Sequence, residues 1–253
     1  MNILSLKKVV AQALCHPTMG KVISTCLGHQ ISINGCAIDT KNDQVTRQTI
    51  ARLFWGMYES NERRFISQYL RRDLDVIELG SCLGVVSSII AVQQDRAQQL
   101  ICVEANPFLV DTIKKNVTTN APWKQLSVLN RAIDYTGQSQ ATFVLDRLVN
   151  SRVGRLDDTT QVTEVPTSTL AEIVALLYGR DYTLVTDIEG AEAGFIVHGE
   201  RDLTRCQQII CELHDTDYEG RSYTVEKLRK LLETQHGFTV RDSYGPVFVF
   251  EKP

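Results

Sequence analysis

The stretch DVIELGSCLGVVSSII, Asp75 to Ile90, constrains this chain more than any other. A short apolar run enters a turn with glycines at Gly80 and Gly84, and a second apolar segment of helix length follows. Continuous apolar runs of this kind suit a parallel strand buried on both faces. A strand, a tight turn and a helix N-terminus gather backbone N–H groups and a positive dipole end at one point, which suits a nucleotide-type ligand. A dinucleotide fingerprint would place glycine in the middle of the turn and at its last position, so that a pyrophosphate could approach the backbone. Cys82 and Val85 stand there instead. The turn points away from a pyrophosphate.

The rest of the chain sets the fold class. QLICVEA reads as the next strand and PFLVDTIKKNV as the next helix, with Pro107 at its first position. QLSVLNRAI reads as a third strand. Between Tyr135 and Thr169 the rhythm changes: ATFVLDR and TQVTEVPTSTL are extra strands joined by the polar loop NSRVGRLDDTT. Alternation then resumes with LAEIVALLY (helix), YTLVTDIEG (strand), AEAGFIVHG (helix) and CQQIICELH (strand). SYTVEKLRKLLETQ is an amphipathic helix, and GFTVRDSYGPVFVFEK forms two strands around a turn. The expected architecture is α/β: a mostly parallel, seven-stranded Rossmann-like sheet covered on both faces and closed by a C-terminal antiparallel hairpin. Methyltransferase sheets end this way, whereas dinucleotide-binding folds usually do not.

Residues 1–70 differ and are expected to form a helical and hairpin lead-in to a catalytic domain over 71–253. MNILSLKKVVAQALC predicts an amphipathic helix ending near His16-Pro17, without a signal-peptide core or a small-x-small cleavage site. KVISTCLGHQISINGCAID contains alternating segments around Asn34-Gly35, a hairpin-forming pair. VTRQTIARLFWGMYESNERRFISQYL carries helical spacing, as two helices or one broken near Gly56 to Asn61. Phe54, Trp55 and Tyr58 are expected to pack rather than to form a sugar platform.

The second strand ends in Glu104, within VEANP, where Rossmann-like folds place an acid that accepts from both ribose hydroxyls. Together with the turn, this acid favours S-adenosylmethionine (SAM), which has no phosphate. ESNERRFISQYLRRDLDVIELGSCLGVVSSII, VEANPFLVDTIKKN, LVTDIEGAEAGFIVHG and IICELH together resemble the FkbM family of SAM-dependent methyltransferases, roughly from Glu59 to the C-terminus. That resemblance implies a class I methyltransferase fold and O-methylation of a sugar or polyketide hydroxyl. The chain departs from the family pattern at Cys82, where asparagine is common, and at Val185, where lysine is common two residues before the motif aspartate. The first departure bears on contacts around the methionine moiety, the second on the acceptor side.

The expected cofactor contacts are Glu78, Gly80, Ser81, Cys82, Gly84, Glu104, Ala105, Asn106, Arg131, Ala132 and Asp187, with Asn130 and Ile133 at the third strand's end. Ligands in doubly wound sheets sit beyond the carboxyl ends of the strands. Asp187 and Glu189 end one core strand, and Glu212 with His214 ends its neighbour, so the four are expected around one crevice. Methyl transfer to a hydroxyl needs alignment and removal of the hydroxyl proton. His214 is the expected base because an unperturbed imidazole titrates near neutrality; Asp187 is the runner-up, and Glu212 completes the catalytic set. A strand-end histidine bonded to a backbone carbonyl is the equal alternative for His214. Glu189 either contacts substrate or caps the next helix. Glu59 and Glu62 either line the crevice or lie on a solvated helix face, and His198 reads as a helix-end residue.

Bulk properties narrow the partners. A formal net charge of −3 argues against a broad grip on nucleic acid. Seven scattered cysteines without a CxxC pair read as reduced thiols of a cytoplasmic protein. No window reaches membrane-span length. A divalent ion would suit Asp187, Glu189, Glu212 or His214, but without a ligand spacing none is expected. The sequence thus predicts a methyltransferase using SAM, with S-adenosylhomocysteine (SAH) as product, acting on a carbohydrate hydroxyl; a homo-oligomer is compatible with it. A lipid, polyketide or other secondary metabolite is the alternative acceptor. A non-catalytic SAM-binding interaction module and a dehydrogenase are the competing classes.

Overall fold

The computed structural model describes residues 14–145, 161–199 and 201–253. A seven-stranded sheet forms its centre. In chain order its strands are β3 (Asp75–Leu79), β4 (Gln99–Glu104), β5 (Gln125–Asn130), β9 (Tyr182–Thr186), β10 (Cys206–Glu212), β13 (Thr239–Tyr244) and β14 (Val247–Glu251). Their spatial order is β13-β14-β10-β9-β3-β4-β5. Pairing is parallel from β10 through β9, β3 and β4 to β5, and β14 runs antiparallel to both β10 and β13. The sheet is therefore the expected one, including the closing hairpin. Its strand order reverses between β3 and β9, where doubly wound sheets open a crevice.

Alternation along each strand divides the core into two layers. Val76, Leu100, Val185, Ile210 and Val249 face one side, where they meet α4 (Val85–Gln93), α5 (Val110–Asn120) and the N-terminal elements. Ile77, Ile101, Leu184, Ile209 and Phe250 face the other side, packing on α6 (Leu170–Val174), α7 (Glu192–His198) and α8 (Val225–Thr234). Every residue of β3 and β4 is buried, which is why apolar residues fill successive positions at Val76 and Ile77 and from Leu100 to Val103 instead of alternating.

The N-terminal elements join the first layer. They are α1 (Pro17–Leu27), the hairpin β1 (Gln30–Ile33) with β2 (Cys36–Asp39), α2 (Arg47–Phe54) and α3 (Ser60–Tyr69). The Asn34-Gly35 turn has φ of 49° and 80°, the left-handed pair that suits a tight hairpin. Arg63, buried on α3, donates to the carbonyls of Tyr58 at 2.7 Å and Gly56 at 2.6 Å and to Asn34 Oδ1. It ties the α2–α3 junction to the hairpin. A second small sheet, β6 (Ala132–Ile133), β8 (Gln161–Ser168) and β7 (Gln140–Leu145), flanks the end of β5, and β11 (Thr216–Tyr218) pairs with β12 (Arg221–Tyr223) after β10.

Three local expectations are corrected. KVISTCL belongs to α1, because Pro17 starts a helix that runs to the left-handed cap at Gly28. Pro107 lies in the turn before α5, which begins at Val110, since Asn106 Oδ1 takes the Phe108 N–H at 3.0 Å and shapes a turn first. QLSVLNRAI is not one strand: β5 stops at Asn130, and Ala132 and Ile133 pair with β8 instead. Most of the expected helix before His16 and all of the loop NSRVGRLDDTT lie outside the described residues. Among the described residues, no helix is long and apolar enough to cross a membrane.

The tails of β3 and β9 touch at Gly80. Its φ is +84°, and a Cβ there would lie 2.1 Å from the Asp187 carbonyl oxygen. Gly80→Ala combines a strained backbone with a clash against main chain, and is expected to cost about 3 kcal/mol of unfolding free energy in urea titration.

Candidate active site

The carboxyl ends of β3, β4, β5, β9 and β10 and the α2–α3 junction enclose a cavity of about 420 Å³. Gly80 and Cys82 line it from the turn after β3, Glu104, Ala105 and Asn106 from the end of β4, and Arg131 and Ile133 from beyond β5. Glu104 organises this side. Its Oε2 accepts the Cys82 N–H at 2.7 Å and its Oε1 the Asn106 N–H at 2.7 Å, so one carboxylate joins two loops. Each oxygen retains a further lone pair. Burial pushes Glu104 up to about 7, against the pull of those backbone donors. Cys82 has φ of 47°, and its N–H is committed to a carboxylate. The donor that a pyrophosphate would need at mid-turn is therefore taken by a negative group.

Gly84 caps α4 in a left-handed conformation, and a Cβ there would press on Ile113 of α5 at 3.0 Å. Its role is close helix packing; it does not line the cavity. Glu78 and Ser81 do not line it either. Glu78 is buried within β3 and accepts from Ser81 Oγ at 2.9 Å and from Ser87 Oγ, tying the turn to α4. Ala132 is buried beneath Phe143 and Val165. Asn130 Nδ2 donates to the carbonyls of Glu104 and Ala105 at 2.8 and 2.9 Å, bracing the loop that carries the acid.

The opposite end of the cavity is acidic. Glu59, Glu62, Asp187, Glu189 and Glu212 line it, and His214 stands just behind. His214 Nε2 is 3.9 Å from Asp187 Oδ1, 3.7 Å from Glu189 Oε2 and 3.8 Å from Glu212 Oε1. Its Nδ1 is 3.2 Å from Glu192 Oε1, an oxygen that also accepts the Ile188 N–H at 3.0 Å, while Oε2 takes the Gly190 N–H at 2.8 Å. Burial alone would depress the imidazole, but the Glu192 bond and the charges of Glu192, Asp187 and Glu189 outweigh it and raise His214 to about 9. These charges favour its protonated form. Asp187 rises to about 7, chiefly by burial, with Glu189, Glu192 and Glu62 opposing the pull of His214. Glu212 rises to about 8 through burial, its hydrogen bond with Glu62 and the charge of Asp187. Burial and the Asp187 charge also hold Glu59 well above the carboxylate range.

The four strand-end residues expected around one crevice do converge, and Glu59 and Glu62 line the cavity with them. The helix-cap alternative for Glu189 falls to Glu192, which binds the two backbone N–H groups instead. Glu192 escaped sequence reasoning because an acid at the start of a helix reads as a dipole partner, not as a buried anchor. Tyr58 packs in the core as expected and also lines the cavity, donating to Cys82 Sγ at 3.0 Å, whereas Phe54 and Trp55, also expected to pack, are exposed. His198 ends α7 and bonds Glu219 at 3.0 Å, away from the cavity.

A model of the FkbM methyltransferase domain matches residues 78–240. No curated protein matches the chain. Similar solved structures include magnesium protoporphyrin IX methyltransferase from Synechocystis PCC 6803 with bound SAH (11% identity, TM-score 0.44, covering 77% of this chain and 81% of that one). Another is ribosomal protein L11 methylase from Lactobacillus delbrueckii subsp. bulgaricus (10%, TM-score 0.45, 78% and 80%). A third is precorrin-6y C5,15-methyltransferase from Geobacter metallireducens GS-15 (14%, TM-score 0.41, 87% and 96%).

Burial first, then the charges of Glu59 and Glu104, holds the Cys82 thiol far above its ordinary range. The thiolate is the reactive form. Iodoacetamide at pH 7.5 is therefore expected to label exposed Cys26 and spare Cys82 in the folded protein, as read by peptide mass spectrometry.

Proposed function

The chain belongs to the FkbM methyltransferase family and is a SAM-dependent methyltransferase; from that premise we propose that it methylates a hydroxyl of a carbohydrate. The observation that carries this reading is one cavity with two unlike ends, Glu104 over the glycine turn and the acidic group around His214. The first end fits the cofactor: each Glu104 oxygen has one lone pair bound to backbone and one left for a ribose hydroxyl. Gly80, Cys82, Ala105, Asn106 and Arg131 would hold the remainder of SAM. When bound, SAM supplies a methyl group on a sulfonium, which keeps the bonding pair and departs as SAH.

The second end suits a polyhydroxylated, uncharged acceptor. Five carboxyl groups lining one wall accept hydrogen bonds from hydroxyls and repel phosphates and carboxylates. The wall holds the attacking oxygen in place, and its proton leaves to a carboxylate there as the new O–C bond forms. His214, drawn toward its charged form by Glu192, Asp187 and Glu189, offsets the mutual repulsion of Asp187, Glu189 and Glu212. A cytoplasmic location accords with the seven free thiols.

Two variants separate the ends of the cavity. Glu104→Gln loses an anionic acceptor and should weaken SAH binding about tenfold or more by calorimetry. Glu212→Gln should lower turnover about a hundredfold, in an assay of labelled methyl transfer to an oligosaccharide panel, with SAH affinity within about threefold. Labelled methyl appearing only on lipid or polyketide acceptors would overturn the carbohydrate assignment.

A further inference from the structure

The spacing around His214 is too wide for hydrogen bonds and too regular for chance contact among repelling groups. Nε2 has three carboxylate oxygens at 3.7 to 3.9 Å, and none is within bonding distance. Ligands about 2.1 Å from a small cation stand about 3 to 4 Å from one another. Asp187 Oδ1, Glu212 Oε1 and His214 Nε2 belong to residues that each offer a ligand atom within 4.8 Å of the other two. Asp187 Oδ1 is sealed from solvent and is one of five buried side-chain polar atoms without a hydrogen-bond partner among the described residues. An oxygen left so is short of a positive partner.

The support around the imidazole has the same character. Glu192 is completely buried and fixed by the Ile188 and Gly190 N–H groups, so its oxygen makes Nδ1 the donor and leaves Nε2 aimed at the carboxylates. A carboxylate behind the histidine is the usual outer support of a metal-bound imidazole. Among the described residues, Arg52 and Arg131 line the cavity, but neither forms an ion pair with Asp187, Glu189 or Glu212.

We infer that Asp187, Glu212 and His214 hold a divalent cation of the magnesium or manganese class, with Glu192 positioning the histidine. Two carboxylates and one imidazole match such an ion, and the three leave coordination positions open toward the cavity. A proton on Nε2 and a cation compete for the same place. The consequence for chemistry rests on the function proposed above. There the ion would coordinate and polarise the acceptor oxygen, leaving Glu189, beside it and lining the cavity, to take the hydroxyl proton.

The test uses the purified full chain with Mn²⁺ alone, without SAM or acceptor. Electron paramagnetic resonance should count one bound Mn²⁺ per chain, and electron spin-echo modulation should show coupling to one imidazole nitrogen. Asp187→Asn and Glu212→Gln should each weaken binding about tenfold or more, His214→Gln should abolish the nitrogen coupling, and Glu192→Gln should cost about 10- to 100-fold. Asp111→Asn, on an exposed helix face, should change nothing. The wild-type nitrogen signature does not depend on any variant folding. Several weak sites without nitrogen coupling, no bound Mn²⁺, or binding unmoved by all four substitutions would overturn the site. A chain that binds Mn²⁺ in this way and methylates no sugar keeps the site and loses only the carbohydrate reading.

Discussion

The contact between Gly80 and the Asp187 carbonyl carries the rest of the architecture. β3 and β9 are paired in parallel, and the Asp187 N–H continues their ladder to Leu79 O at 3.1 Å. Because Gly80 has no side chain, the two strand tails leave the sheet almost touching. One tail becomes the turn that presents Cys82 to Glu104, and the other presents Asp187, Glu189 and, through Glu192, His214. Any residue larger than glycine would separate the two halves of the cavity. Geometry here follows from backbone proximity at a strand-order reversal, not from a particular reactive side chain.

The second constraint is charge. Six carboxyl groups line a cavity with two arginines, which would be untenable in a dry interior without compensation. Each group has a different answer. Glu104 is met by two backbone N–H groups, Glu212 shares a hydrogen bond with Glu62, and Asp187 relies on His214. Glu59 and Glu212 stand above the ordinary carboxylate range, so part of the compensation is the proton itself. A site in that condition favours cations and donors and disfavours anions.

The fold was legible where periodicity and burial agree. β3 and β4 are buried on both faces and read as apolar runs, and the terminal hairpin declared itself through alternation around Tyr244-Gly245-Pro246. KVISTCL was misread because β-branched residues favour extended chain locally, while Pro17 and the packing of α1 on α2 favour helix; Gly20 lies so close to Arg47 that no Cβ fits. In the site, strand ends could be located but side-chain direction could not. Glu78 and Glu104 both stand in core strands, yet one turns to Ser81 of the turn and Ser87 of α4 and the other to the cavity. The displaced titration of His214 was also invisible, since it depends on Glu192, twenty-two positions away in sequence.

Three of the non-glycine residues with left-handed backbone, Glu59, Cys82 and Glu189, line the same cavity. Side chains in that conformation cost about 1 kcal/mol each, and glycine would relieve it. Part of the backbone strain of this chain is thus concentrated on the cavity wall. Selection for heat resistance alone would drift toward glycine at 59, 82 and 189, and would hollow out the pocket while the scaffold grew sturdier.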